Sequence, residues 1–510
     1  MHPSSGTGLY SMVAKGCIKK VRVRRQRASG LKSNKTWPFA FKPVRRSILP
    51  VTRGCFPMIT RRAATAGLAT ALLGFPRPGW TQPKSGDGGG LIQDLPAELT
   101  ARPSLKRLRA DAAQETEVLT LGERLGPAFR LRAGAPLEFT FRNETSLPLS
   151  LHIQGLRGAN AHDGVARVTQ APVPQGGTFT YREPPPAPGT FLIRPSIPGG
   201  SAEPLERGLS ALLIVEEANP PPVDLDLPIL IDDWRLGDDG RLAPFSKSAD
   251  DNPAGRLGNF LTVNGDAVPQ KLSLRPGSRL RLRLANACNA RAMRLRFDNL
   301  RATVIAVDGQ PTDTFEPLRS SLPIAPGSRY DLLVDLPVEA DARSAVVAAL
   351  GDGIPLVEFH TAGNGKTEPP PIASLAPNDK LPKAIALEKA VRKDLVIQTT
   401  GDKTVSGWTI NGVAGDANAP VLKVKRGSPV VLTLINKTPV AQPLHLHGHV
   451  FRLLHALDDG WQPYFLDTIQ VPENKTSRIA FIADNPGKWL LASTVMERFD
   501  SGLWTWIEVS

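Results

Sequence analysis

Gly427-Ser428-Pro429-Val430-Val431-Leu432-Thr433-Leu434-Ile435-Asn436 is the stretch that decides the fold. Val430, Leu432 and Leu434 recur at period two, the spacing of a strand with one buried face. The glycine in front, beside Arg426, marks the turn that launches it. The same spacing occurs twice upstream. Gly134 leads Leu137, Phe139, Phe141 and Asn143, and Gly277 leads Leu280, Leu282, Leu284 and Asn286, with Arg132 and Arg275 beside the glycines. The glycines stand 143 and 150 residues apart, so the chain reads as three copies of one β-unit. A second unit recurs in the first and last copies. Pro188-Gly189-Thr190-Phe191-Leu192-Ile193 parallels Pro486-Gly487-Lys488-Trp489-Leu490-Leu491, each behind an alternating strand (Thr178–Tyr181 and Arg478–Ile482).

Composition agrees with this reading. The chain has 510 residues with 48 Pro, 45 Gly and 6% aromatics, a turn-rich profile that favours an all-β protein over a helix bundle. Three Cys exclude a disulfide framework. No apolar run approaches the ~20 residues of a bilayer-spanning helix, which excludes a multi-span membrane protein. Linker-like stretches at Lys84–Gly90, Asn219–Pro222 and Gly363–Lys383 delimit three expected domains: 91–218, 222–365 and 383–510.

The formal charge of +14 is unevenly placed. Residues 1–80 hold sixteen Lys+Arg and no acid, so the remainder carries −2. A near-neutral body argues against nucleic acid as a partner. Thr60-Arg61-Arg62 followed by the uncharged run Ala63–Leu73 resembles a twin-arginine export signal, with Ala64 and Thr65 departing from its usual Phe and Leu. Residues 58–80 are therefore expected to be an export signal, giving a periplasmic protein without a transmembrane span. Residues 1–57 read as a basic extension absent from the true precursor, with translation starting at Met58.

The last copy contains His445-Leu446-His447-Gly448-His449-Val450-Phe451. On a strand, residues i and i+2 share a face, so His445 and His447 point together, opposite Leu444 and Leu446. Paired imidazoles suit copper or zinc, or alternatively a hydrogen-bonded core. The first copy contains Leu151-His152-Ile153-Gln154-Gly155-Leu156-Arg157, then Asp163-Gly164-Val165 and Thr169-Gln170, and closes on Arg207-Gly208-Leu209-Ser210-Ala211-Leu212. The last adds Asp467-Thr468 and Ala483-Asp484-Asn485-Pro486-Gly487. On these motifs, residues 110–510 resemble the multicopper oxidases of laccase type. The resemblance implies three consecutive cupredoxin-like Greek-key β-sandwich domains.

The resemblance also places the copper ligands. The family's trinuclear centre uses four H-x-H pairs, which fall on His152 and Gln154, Arg194 and Ser196, His445 and His447, and Ala492 and Thr494. Its blue-copper site falls on Gln442, Ser493 and Arg498, with Leu503 in the axial place. Blue copper requires a Cys thiolate and two imidazoles. Cys288, the only Cys past residue 57, reads as an apolar filler on the strand after Gly277. The guanidinium groups of Arg194 and Arg498 oppose a nearby cation. His152 and His445 fall on both type 2 copper positions and His447 on a type 3 position. The cofactor implied is none or a single copper ion on His152, His445 and His447. The full four-copper set is not expected.

Two functions follow. One is a non-catalytic periplasmic scaffold or binding protein with an envelope protein partner, similar to the copper-free cell-division protein of this superfamily. The other is a residual copper-binding protein or copper-dependent oxidoreductase. No catalytic residue is assigned, and the chain is expected to be a monomer. His162-Asp163 is a weak acid/base pair in a structural loop. Asp232-Asp233 and Asp458-Asp459 read as solvated acids in turns, and Trp489, Trp504 and Trp506 read as core.

Overall fold

The structure, a computed structural model, describes residues 90–245, 254–400 and 407–510 except 457 and 459. The expected extension 1–57 and export signal 58–80 lie outside them. Six sheets form among the described residues, two in each copy of the repeat. Sheets of five and four strands in the first copy enclose Phe139, Phe141, Ile153 and Leu213. Sheets of seven and five strands in the second enclose Leu282, Leu295, Val334 and Phe359. Two five-stranded sheets in the third enclose Leu432, Leu446, Phe481 and Leu491.

The repeated strands are Leu137–Asn143, Arg279–Asn286 and Ser428–Asn436. Each pairs in parallel with an upstream strand: Glu98–Lys106, Leu225–Trp234 and Val391–Thr399 respectively. Each pairs antiparallel with a later strand: Thr178–Glu183, Arg329–Asp335 and Thr476–Ala483. Parallel neighbours cannot be joined by a tight hairpin, so the chain must cross over to the second sheet between them. That crossover produces the two-layer architecture.

The terminal Asn of the repeat has a physical reason. Asn436 Nδ2 donates to the carbonyls of Val440 and Pro472 (2.8 and 2.9 Å), while its Oδ1 accepts from Thr438 N and Oγ1 (2.9 and 2.7 Å). Asn143 repeats this with Leu147, Val173 and Thr145. Asn286 does so with Arg291, Ile324 and the Cys288 N–H. A short amide side chain satisfies the backbone where the strand ends in the interior. The repeat glycines sit at φ +74°, +74° and +82°, a region costly to other residues.

Three expectations need correction. The strand Arg279–Asn286 is buried on both faces, not one. Its alternate positions are Arg279, Arg281 and Arg283, neutralised by Asp335, by Glu217 and Asp331, and by Asp226. Arg283 also donates to Thr190 of the first copy, so the second face is buried against that copy. Asp232 and Asp233 are not solvated turn residues but lie buried on the strand Leu225–Trp234. Asp233 accepts from Arg291 Nε and the Gly258 N–H. Burial and the neighbouring Asp233 and Glu206 charges push the Asp232 carboxyl well up. Cys288 is buried in the second core as expected, but lies two residues past its strand. Asp458 is exposed and caps the Gly460 N–H, whereas Asp459 lies outside the described residues.

Of the apolar seams that join the copies, two involve the strands around the site. Leu192, Leu212 and Ile214 meet Leu230, Ala285 and Ala287. Val165 and Leu205 meet Leu490, Phe499, Trp504 and Trp506, so the two latter Trp residues are core, as is Trp489 in the third sandwich. The second seam brings the strands Leu151–Gln154 and Gly189–Pro195 against Gln442–Leu446 and Gly487–Ser493.

Candidate metal centre

His152 lies in the strand Leu151–Gln154, and His445 and His447 lie at and just past the end of Gln442–Leu446. Leu444 and Leu446 enter the third core, which turns the two imidazoles toward the first copy. The structure brings all three together: one ligand atom from each lies within 4.8 Å of the others. The His152 and His447 rings stack at 3.8 Å between centroids, and His152 Nε2 lies 3.2 Å from His445 Nε2. All three side chains are buried.

Two aspartates orient the rings: Asp467, given no role in the sequence reading, and Asp163, read there only as half of a weak acid/base pair. His152 Nδ1 lies 2.7 Å from the Asp163 carbonyl oxygen, and His445 Nδ1 lies 3.0 Å from that of Asp467. His447 Nδ1 lies 3.0 Å from the Asp163 carboxylate. Every Nδ1 thus faces an oxygen that only accepts, so Nδ1 carries the hydrogen and Nε2 the lone pair. Metal-binding histidines are commonly oriented this way. Gly164 makes the arrangement feasible: at φ +78°, a Cβ there would lie 1.7 Å from the Leu151 carbonyl oxygen. That close approach sets Asp163 beneath His152.

Asp467 is held in turn by Arg329, whose Nη1 and Nη2 donate at 3.0 and 2.5 Å. Thr468 Oγ1 donates to it at 2.7 Å and accepts from Gln154 Nε2. Asp308 Oδ2 accepts from the N–H groups of Asp467 and Thr468. Although burial opposes ionisation, the adjoining His and Arg groups hold the Asp163 and Asp467 carboxyls well below the usual range. Burial lowers His445 to about 4 and His447 to about 3. Near neutral pH these rings are uncharged imidazoles, the form that ligates metals.

The other aligned positions carry different groups. Arg498 Nη1 donates to Gln442 Oε1 and the Ala441 carbonyl (2.8 and 2.7 Å), and its guanidinium lies over Trp408. Ser493 Oγ accepts from the Val495 N–H, and Leu503 packs in the third core. Burial lowers Arg498 only to about 10, so the place holds a cation at neutral pH. Gln442, Ser493, Arg498 and Leu503 therefore supply neither thiolate nor imidazole, and do not fit a blue-copper ion. Asp500 accepts from the N–H groups of Gly200, Ser201 and Ala202. His162 bonds Glu183, not Asp163, so the weak acid/base pair does not form. His449, buried against Trp489 and Phe481, bonds the His447 carbonyl and stays outside the triad.

Paired β-sandwiches in series, with an imidazole cluster where the first meets the last, define a cupredoxin-type architecture. The chain belongs to the multicopper oxidase family: models described as multicopper oxidase match residues 105–220, 226–362 and 388–510. It is 27% identical over 431 residues to the multicopper oxidase MmcO of Mycobacterium tuberculosis, covering 73% of this chain and 79% of that one. It is 26% identical over 472 residues to laccase-1 of Melanocarpus albomyces, covering 76% and 74%. The crystal structure of a multicopper oxidase from Pseudomonas thermotolerans matches with a TM-score of 0.73 and 28% identity, covering 82% and 99%. That of Lac15 from a marine microbial metagenome matches at 0.66 and 31%, covering 81% and 100%.

Proposed function

We propose that this protein is an exported family member that holds one metal ion on His152, His445 and His447 and does not carry out the four-copper reduction of oxygen. The observation that carries the reading is the meeting of His152 Nε2 and His445 Nε2 at 3.2 Å with both Nδ1 atoms facing carbonyl oxygens. Two lone pairs so placed repel unless a cation lies between them. A shared proton or a metal ion meets that need, and the third imidazole favours the metal. Three imidazoles in a buried site suit copper, and a bound copper would supply a one-electron redox centre. The chain's own contribution is to fix the tautomers through Asp163 and Asp467 and to keep water away.

Loss of the blue-copper site is supported by the Arg498–Gln442 bond and by Ser493 in the thiolate position. Loss of most trinuclear ligands is supported by Gln154, Arg194, Ser196, Ala492 and Thr494. The twin-arginine-like residues 58–80 support a periplasmic setting, where an envelope protein is the natural partner.

The test is metal content, with the visible spectrum, of protein exported from copper-replete cells. About one copper per chain without a blue thiolate–copper band is expected. Four coppers with that band would refute the reading. A chain that takes up no copper, even when offered copper(I), would refute the metal site and leave the scaffold role.

A further inference from the structure

We propose that Arg194 and Ser196 form a binding site for a small planar monovalent oxyanion, of the formate or bicarbonate class, beside the imidazole triad. The inference stands apart from the metal reading, because it rests on a side chain that binds no metal.

Arg194 is 5% exposed, yet its guanidinium makes no hydrogen bond or ion pair with any described residue. The other buried arginines all have acceptors. Arg256 bonds the Ala243 and Pro244 carbonyls, and Arg279 bonds Asp335. Arg281 and Arg283 share Asp331, Arg329 bonds Asp467, and Arg498 bonds Gln442. The nearby carboxylates are already engaged: Asp467 by Arg329 and His445, Asp163 by His447 and His152. Ser196, also 5% exposed, lies two residues on, just past the end of the strand Gly189–Pro195. Its hydroxyl likewise makes no hydrogen bond to a described residue.

The position is specific. Arg194 stands in register with His152 on the neighbouring strand. Its charge reaches His445 and Arg329. Burial and Arg329 lower Arg194 to about 9, which leaves it cationic at neutral pH. A largely enclosed guanidinium whose donors meet no acceptor among the described residues is relieved of both charge and unmet hydrogen bonding by an anion. The planar fork matches two oxygens of a planar oxyanion, and a halide offers only a point charge. Asp467 and Asp308 already face Arg329, and Asp467 also acts on Arg194, so the cluster can take at most one further negative charge.

The experiment titrates sodium formate into the exported protein with chelator present throughout, which separates the outcome from any metal. Thermal midpoint and the line width of 13C-labelled formate are read, with sodium chloride and sodium sulfate at matched ionic strength. Saturable formate binding is expected, weakened tenfold or more by Arg194→Lys, which keeps the charge and removes the fork. Ser196→Ala should weaken it less, and Arg194→Met should abolish it. No saturable formate signal in the parent would overturn the proposal, as would unchanged binding in Arg194→Lys. An equal response to chloride would overturn the assignment to an oxyanion. If Arg194→Met does not fold, the parent line width and the Lys variant still decide.

Discussion

Replacing Asp163 by asparagine changes one proton-accepting group and almost no volume, and it separates orientation from ligation at the triad. The Asp163 carboxylate lies 3.0 and 3.3 Å from His447 Nδ1, and its backbone carbonyl holds His152 at 2.7 Å. The substitution keeps the carbonyl and so leaves His152 in its tautomer. An amide at the carboxylate position offers one acceptor in place of two and no charge, so His447 loses its preference for carrying hydrogen on Nδ1. Loss of such an orienting carboxylate typically weakens metal binding 10–100-fold, or about 1.4–2.8 kcal/mol. His445→Ala removes a ligand and should cost more. The assay is a copper(I) competition titration against a chromophoric chelator near neutral pH, with each variant's fold checked by circular dichroism. Parent-like affinity in Asp163→Asn beside a collapsed affinity in His445→Ala would refute the orienting role. Parent-like affinity in both would refute the triad as the metal site.

Three further outcomes follow from the same geometry. In metal-free protein, the unfolded chain takes up protons on His445 and His447 that the buried rings refuse. Stability should therefore fall as pH drops from about 6.5 toward 4, by roughly 3 kcal/mol for His445 alone. Denaturant midpoints that stay flat across that window would contradict the neutral-imidazole assignment. Gln442→Leu deprives the Arg498 guanidinium of the Gln442 acceptor and should cost about 2 kcal/mol in chemical denaturation. A stabilised variant would contradict that bond. Asn436→Leu strands two carbonyls and the Thr438 N–H in the interior and should cost roughly 2–4 kcal/mol, whereas a change within experimental error would mean the turn holds without the amide.

The parts legible in the sequence were those governed by local spacing. Val430, Leu432 and Leu434 identify a strand because period two is a property of neighbouring residues, and three copies identify the repeat. His445 and His447 share a face for the same reason. The remainder depends on which distant groups meet. Asp163 and Asp467 appear in the sequence as isolated acids, and only the seam between the first and last copies shows that they hold imidazoles. Asp232 and Asp233 resemble turn acids because nothing adjacent in the chain announces Arg291, 58 residues from Asp233. Arg279, Arg281 and Arg283 alternate with leucines as solvent-facing residues would. Their burial became apparent only with the carboxylates supplied from other strands.

Those three arginines also bear on how chains of this kind can be rearranged. Arg281 reaches Glu217, in the segment joining the first copy to the second, and Arg283 reaches Thr190 within the first. Cut away from that neighbour, the middle third would keep Asp226, Asp331 and Asp335 beside these arginines but lose Glu217 and uncover a sheet face that is buried in the whole chain. It is not a portable module. A gene rearrangement that kept this face covered would have to carry the first two copies together.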